Sequence, residues 1–190
     1  MNQDKRPTTA EAEAAIRTLI SYLGDDPNRG SLKDTPRRVI KSYAEFFSGY
    51  KNKLDRDSLR TFDVPDGFNS IIQLNNIRLE SFCEHHMAPI IGTVSIAYEP
   101  QSRILGLSKL ARIVDMHAKK LQIQERLIVE IANTIEEIVS PLGVGVVIDA
   151  EHHCLSTRGA HKPGSMMRTV HYTGTFKDYE KRREFLGSIK

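Results

Sequence analysis

Near residue 70 the spacing of apolar residues changes from helical to strand-like, and the same change recurs once more before the chain ends. Thr8 with Glu11 fits a capping box, and Ala12, Ile16, Leu19, Ile20 and Leu23 follow at helical spacing up to Gly24. Thr35 as N-cap and Pro36 as first helical residue predict a second helix with Val39, Ile40, Tyr43, Phe46 and Phe47 on its apolar face. Residues 55–69 read as a loop-rich connection with a turn at Pro65-Asp66-Gly67. Period-two alternation then marks Ile77/Leu79, Val94/Ile96/Tyr98, Val144/Val146/Ile148 and Val170/Tyr172 as strands. Between the second and third lie two helical stripes, Leu107-Leu110-Val114-Ala118 and Leu127-Ile131-Ile135-Ile138, the latter stopped by Pro141 and Gly143. The order ααββααββ cannot be built from single-helix parallel crossovers throughout. An α+β fold follows: a mostly antiparallel sheet with a helical layer on one face. Residues 1–69 are expected to form an N-terminal helical region and 70–190 a sheet-bearing domain, together one compact unit.

A chain of 190 residues that is 39% hydrophobic and 27% charged is long enough for a core and too apolar for disorder. Its longest apolar run, around Val144–Ile148, falls far short of the ~20 residues of a membrane span. Met1–Pro7 is polar and mixed in charge, so no signal peptide is expected. The formal net charge of +3 is too mild and too scattered for a nucleic-acid surface, yet compatible with a small anionic ligand. With no export signal, a reducing cytoplasmic setting is expected, and its thiols then suit metal or catalysis better than a disulfide.

Those thiols are the informative residues. The two cysteines, Cys83 and Cys154, sit in Ser81-Phe82-Cys83-Glu84-His85-His86 and Glu151-His152-His153-Cys154, so four of the seven histidines adjoin them. One buried cysteine beside a histidine is commonplace; the coincidence at both is not. If residues 151–154 are extended, His152 and Cys154 share a face and His153 points away. Cys83 and His86 would lie on opposite faces of a strand, whereas a turn brings them together as Cys-x-x-His does around zinc. The best ligand set is Cys83, His86 and Cys154, with His85 and His152 close by. Three protein ligands leave a vertex for water, the pattern of a catalytic zinc, whereas His152 as fourth ligand would close a structural site. An open site would activate water near neutral pH, with His85 and His152 available to move protons.

Anion-binding positions are weaker signals. Gly106-Leu107-Ser108-Lys109 opens a helix with Arg112 one turn on, a natural phosphate site but equally an ordinary helix start. Arg158 follows Cys154 by four residues and can swing towards the same pocket; Arg38 and Lys41 belong to the second helix. There is no Walker loop, and Gly143-Val144-Gly145 lacks the third glycine of a dinucleotide fingerprint. Glu125, with Gln124 beside it, offers a carboxylate that can accept two N–H bonds from a guanine edge, though a solvent-facing helical Glu reads the same way.

Together, Ser81-Phe82-Cys83-Glu84-His85-His86-x-x-Pro89, Gly106-Leu107-Ser108-Lys109-Leu110-Ala111-Arg112, Gln124-Glu125-Arg126-Leu127 and His152-x-Cys154-x-x-x-Arg158-Gly159 resemble the signatures of type I GTP cyclohydrolases. The similarity extends to Asp34-Thr35-Pro36-x-Arg38-Val39 and Arg183-Glu184-Phe185-Leu186, and so covers roughly residues 10–188. The resemblance implies conversion of GTP and water into formate and 7,8-dihydroneopterin triphosphate, at the entry to folate or tetrahydropterin synthesis. It implies zinc held by Cys83, His86 and Cys154, proton transfer by His152, and a second required histidine in His85. Gln124 and Glu125 would hold the guanine edge, while Ser108, Lys109, Arg112 and Arg158, with Arg38 and Lys41, would serve triphosphate and ribose. The implied architecture is the tunnelling fold, a four-stranded antiparallel sheet with two helices on one face. Its implied assembly is a homodecamer of two stacked pentameric rings with sites at subunit boundaries. Another pterin-type member of that fold, or a nucleotide-binding module with a structural zinc and no turnover, remains open on the residues alone.

Overall fold

The computed structural model describes residues 6–51 and 60–189. The chain folds as two compact units, Met1–Ser48 and Gly49–Lys190. Of the expectations above, those on residues 1–5 and 55–59 lie outside the described residues.

The first unit is a helical pair. Helix α1 spans Thr9–Tyr22 and is held at its start by the expected capping box: the Glu11 amide donates to Thr8 Oγ1 at 3.3 Å, and the Thr8 amide donates to Glu11 Oε2 at 2.7 Å. Gly24, at φ +93°, ends it in the left-handed region that glycine tolerates. Helix α2 spans Thr35–Phe46 with Asp34, not Thr35, as its cap residue, so Pro36 sits one position further in, still within the turn that lacks intrahelical N–H bonds. The rings of Tyr43 and Phe47 meet edge to face at 5.2 Å, one turn apart. The apolar stripe of α1 is less buried than its periodicity implies, with Leu19 49% and Leu23 73% exposed.

The second unit carries the sheet. Strands β2 (Ile72–Cys83), β3 (Pro89–Glu99), β6 (Gly143–His152) and β7 (Met166–Tyr172) are antiparallel neighbours in that order, as the α+β reading requires. A fifth strand, β5 (Leu121–Gln122), adds itself parallel to the end of β2, pairing Gln122 with Cys83. Two residues cannot display a period, which is why the strand pattern registers four. Strands β1 (Thr61–Asp63) and β4 (Arg103–Leu105) form a separate ribbon, with the expected turn after β1 closed by the Phe68 amide donating to the Pro65 carbonyl at 3.1 Å.

Helices α3 (Leu107–Ala118) and α4 (Gln124–Val139) cover one face of the sheet. Leu110, Ile113, Val114, Leu127, Ile131 and Ile135 interlock there with Leu79, Val94, Ile96, Tyr98, Val146 and Ile148, all essentially without solvent contact. Leu107 leaves the stripe, 59% exposed, and Ile113 replaces it. The opposite face is covered in part as well. Ala97 and Val147, of the other parity along β3 and β6, meet Phe176 and Phe185 from the C-terminal segment, where α6 spans Tyr179–Gly187. Among the described residues no helix is long and apolar enough to cross a membrane.

Candidate active site

Strand β2 ends at Cys83, and Glu84–Ala88 return the chain into β3. The Cys83 amide donates to the Ala88 carbonyl at 2.8 Å, and the Met87 amide donates to the Cys83 carbonyl at 2.8 Å. Met87 takes φ +53° to make that reversal. The turn folds His86 back over Cys83, resolving the conflict that a straight strand would pose. On the other side, β3–β6 pairing sets His152 opposite Ile90. The short helix α5 (His153–Ser156) begins there and carries Cys154. As a result a ligand atom from each of Cys83, His86 and Cys154 lies within 4.8 Å of the other two. Cys83 is buried, Cys154 half-buried and His86 exposed, so the cluster is rooted in the core and open on one side.

The electrostatics suit a cation. Burial pushes the Cys154 thiol above its ordinary pKa, the neighbouring Cys83 sulfur adds to this, and the Arg158 charge opposes it. A positive ion beside the two sulfurs would favour their thiolate forms. Two sulfurs and an imidazole nitrogen form a soft donor set without carboxylates, which fits zinc better than magnesium or calcium. The residues present therefore fit a three-ligand metal centre.

His85 lies beside the cluster, its Nδ1 3.7 Å from Cys83 Sγ and its ring edge-on to His86 at 6.3 Å. His152 stands outside the three-atom group and bonds elsewhere: its Nε2 is 2.8 Å from Oε1 of Gln124. Burial lowers the pKa of the His152 imidazole, and the Glu125 carboxylate pulls it the other way. His152 and Cys154 line a cavity of about 250 Å³ with Leu155, Ser165, Met166 and Met167.

Gln124 and Glu125 open α4 and point differently, as successive helical residues must. Glu125 is exposed, free of the core, and available to a ligand edge. Gln124 is fully buried and its amide is consumed by this chain's own groups. It donates to the carbonyls of Ile148 at 3.1 Å and Met167 at 3.0 Å, and lies 3.1 Å from Thr169 Oγ1. A contact from its side chain to a guanine edge is therefore not what the geometry offers.

The phosphate candidates separate. Exposed Arg158 follows α5 directly, and its charge is felt at Cys154. Ser108 and Lys109, at the start of α3, lie at the opposite end of the sheet, and Arg112 is partway along the helix. The Leu105 amide, just before α3, donates to the Tyr98 hydroxyl at 2.9 Å, and Tyr98 pairs with Ile72 at the far end of the hairpin from Cys83. The 12 residues of α3 then run roughly 18 Å back before Gln122 meets Cys83. Arg38 and Lys41 belong to α2 in the first unit, with Arg38 3.8 Å from Asp34. One tie has no sequence signal: Arg126 forms an ion pair with Glu84, inside the turn between Cys83 and His86, and Nε of Arg126 donates to Gln122 Oε1 at 3.0 Å. It pins the turn to the start of α4 across 42 positions of sequence.

Residues 12–190 match the family model described as GTP cyclohydrolase I. The chain belongs to the GTP cyclohydrolase I family. Among curated relatives, it is 51% identical over 183 residues to GTP cyclohydrolase 1 of Rickettsia bellii, covering 96% of this chain and 95% of that one. It is 47% identical over 183 residues to GTP cyclohydrolase 1 of Hyphomonas neptunium, covering 96% and 89% respectively. With GTP cyclohydrolase 1 of Rickettsia akari it shares 50% identity over 182 residues, covering 95% of this chain and 96% of that one. The family match spans both the Cys83–His86 turn and the Cys154 helix, so family membership and the clustered donors describe the same part of the molecule.

Proposed function

We propose that this chain is a zinc-dependent GTP cyclohydrolase I: it opens the imidazole ring of guanine in GTP with water at C8, releases formate and forms 7,8-dihydroneopterin triphosphate. The observation that carries this reading is the convergence of Cys83, His86 and Cys154 in a chain matched by the family model over residues 12–190. Those three residues would hold zinc. When bound, zinc supplies Lewis acidity and brings the pKa of water towards neutrality.

The chain's own groups do the rest. The exposed Glu125 carboxylate accepts two N–H bonds from the guanine edge and so orients the base. His152, beside Cys154 in the cavity, holds and moves the proton at the imidazole ring of the substrate. His85, next to Cys83, is the second histidine positioned for proton traffic. Arg158 and the Ser108-Lys109-Arg112 helix start grip the triphosphate, with Arg38 and Lys41 as further cations. Because Ser108 and Cys83 occupy opposite ends of the sheet, the complete pocket combines two copies of the chain. This supports the ringed homo-oligomer, a decamer of two pentamers, that the resemblance implies. A reducing cytoplasm, where the two free thiols persist, is the fitting compartment.

The test is direct. Purified protein mixed with GTP should yield formate and, after oxidation and dephosphorylation, a fluorescent pterin. Metal-replete protein that produces neither would overturn the reading.

A further inference from the structure

The Gln124 amide meets His152 at one end and groups of β6 and β7 at the other. Carbonyl oxygens only accept hydrogen bonds, so the Ile148 and Met167 carbonyls, at 3.1 and 3.0 Å, both require the NH₂ end of the Gln124 amide. Turning the amide over would set its oxygen against those two oxygens in a site without solvent contact, at the cost of two buried bonds. The remaining end, Oε1, therefore faces His152 Nε2 at 2.8 Å. An amide oxygen cannot donate. The hydrogen in that bond must belong to the imidazole, on Nε2, and a neutral ring then carries its lone pair on Nδ1.

We propose that Gln124 is a positioning residue that holds His152 as the Nε2–H tautomer, so that Nδ1 is the nitrogen exchanging protons with substrate. This rests on the GTP cyclohydrolase reading above and sharpens the role of one of its residues. The anchor is rigid: Gln124 is fully buried at the first residue of α4 and is tied to β6 through Ile148 and to β7 through Met167. The next residue, Glu125, is the candidate for the guanine edge. One helix start thus sets both the proton-transfer nitrogen and the base being attacked, which fixes their mutual geometry.

Two measurements test this. Neutron diffraction from deuterium-exchanged crystals of the unaltered, metal-loaded protein, grown well above the ordinary histidine pKa, should place deuterium on Nε2 of His152 and leave Nδ1 bare. Deuterium on Nδ1 with a bare Nε2 overturns the proposal. Separately, Gln124→Leu should lower kcat about 10- to 100-fold, the usual cost of losing such a partner, with KM for GTP and zinc content unchanged. Unaltered kcat, a raised KM with kcat intact, or a fall in kcat that tracks loss of metal each overturns it. If Gln124→Leu does not fold, the diffraction result on the native protein decides. Absence of GTP turnover in the native protein would defeat the functional reading alone, since the proton position is measured without turnover.

Discussion

The Met87 amide donates to the Cys83 carbonyl at 2.8 Å, and this bond closes the turn on which His86 rides. Met87 accepts φ +53° to make it, a conformation in which a side chain branched at Cβ is strained. Met87→Val should therefore weaken the turn and loosen the metal with it. Competition with a chromogenic chelator should show faster zinc loss from Met87→Val than from the parent, while Met87→Gly should hold zinc at least as well. Equal rates for all three would mean that the turn contributes nothing to metal retention.

The proposed function gives Cys154 and His152, two residues apart, different tasks, and the metal content separates them. Cys154→Ala removes one of three donors and should abolish stoichiometric zinc and turnover together. His152→Ala leaves the three donors in place, so zinc should stay near one per chain while turnover falls about 10²- to 10⁴-fold, the range for a lost proton-transfer group. Elemental analysis beside a formate assay reads both. Full activity in Cys154→Ala would remove it from the metal centre.

How much of the fold and site is legible in the sequence depends on how local each relationship is. The Cys83–His86 turn can be reasoned out because three residues of spacing and a strand boundary decide it. The convergence of Cys154 needs only the idea that β6 ends where β2 does. Gln124 escapes such reasoning because its burial is decided by β6 and β7 closing over the start of α4, which no window around residue 124 displays. Ser108 and Lys109, which the resemblance assigns to the same substrate as the metal centre, begin α3 at the other end of the sheet, a separation that only the direction in which α3 crosses the sheet reveals. The second apolar layer is hidden because Phe176 and Phe185 are isolated aromatics among charged residues.

Glu125 is exposed at the start of α4, so it can be changed without disturbing the core. Glu125→Ala should reduce kcat/KM for GTP about 10- to 100-fold, as expected for losing charge-assisted bonds of roughly 1.5–3 kcal/mol. Preference for GTP over ATP should shrink in step, because the carboxylate matches the donor face of guanine only. Competition assays with both nucleotides provide the reading, and an unchanged preference would take Glu125 out of the base pocket.

Acid stability should depend on Glu99. Its carboxyl accepts from Thr175 Oγ1 at 2.6 Å and pairs with Lys181, and Lys181 first, then Thr175, holds its pKa below the ordinary carboxylate value. A carboxyl that binds fewer protons in the folded than in the unfolded state stabilises the fold above the unfolded pKa. That contribution is present above about pH 4.5 and is lost as pH falls through the lower folded value. Lys181→Met should therefore lower stability at pH 7 and narrow its gap from the parent as pH drops below 4.5. Urea midpoints at pH 7 and at acid pH measure this; a gap that widens in acid would exclude the pairing as its cause.

The C-terminal segment is the last element whose contribution can be separated. Phe185 has no solvent contact and meets Phe176 edge-on at 5.9 Å, and both rings crowd Gly145, where an added Cβ would come within 2.8 Å of Phe176 and 3.0 Å of Phe185. Phe185→Ala should cost about 3–5 kcal/mol, as large-to-small changes in a closed core do. Gly145→Ala should cost about 1–3 kcal/mol by forcing the rings apart. Because both act on one cluster, the double variant should lose less than the sum: the cavity left by Phe185 gives the new methyl room. Denaturant unfolding of the two single variants and the double decides it. Strict additivity would mean that the ring and the strand glycine do not share one packed volume.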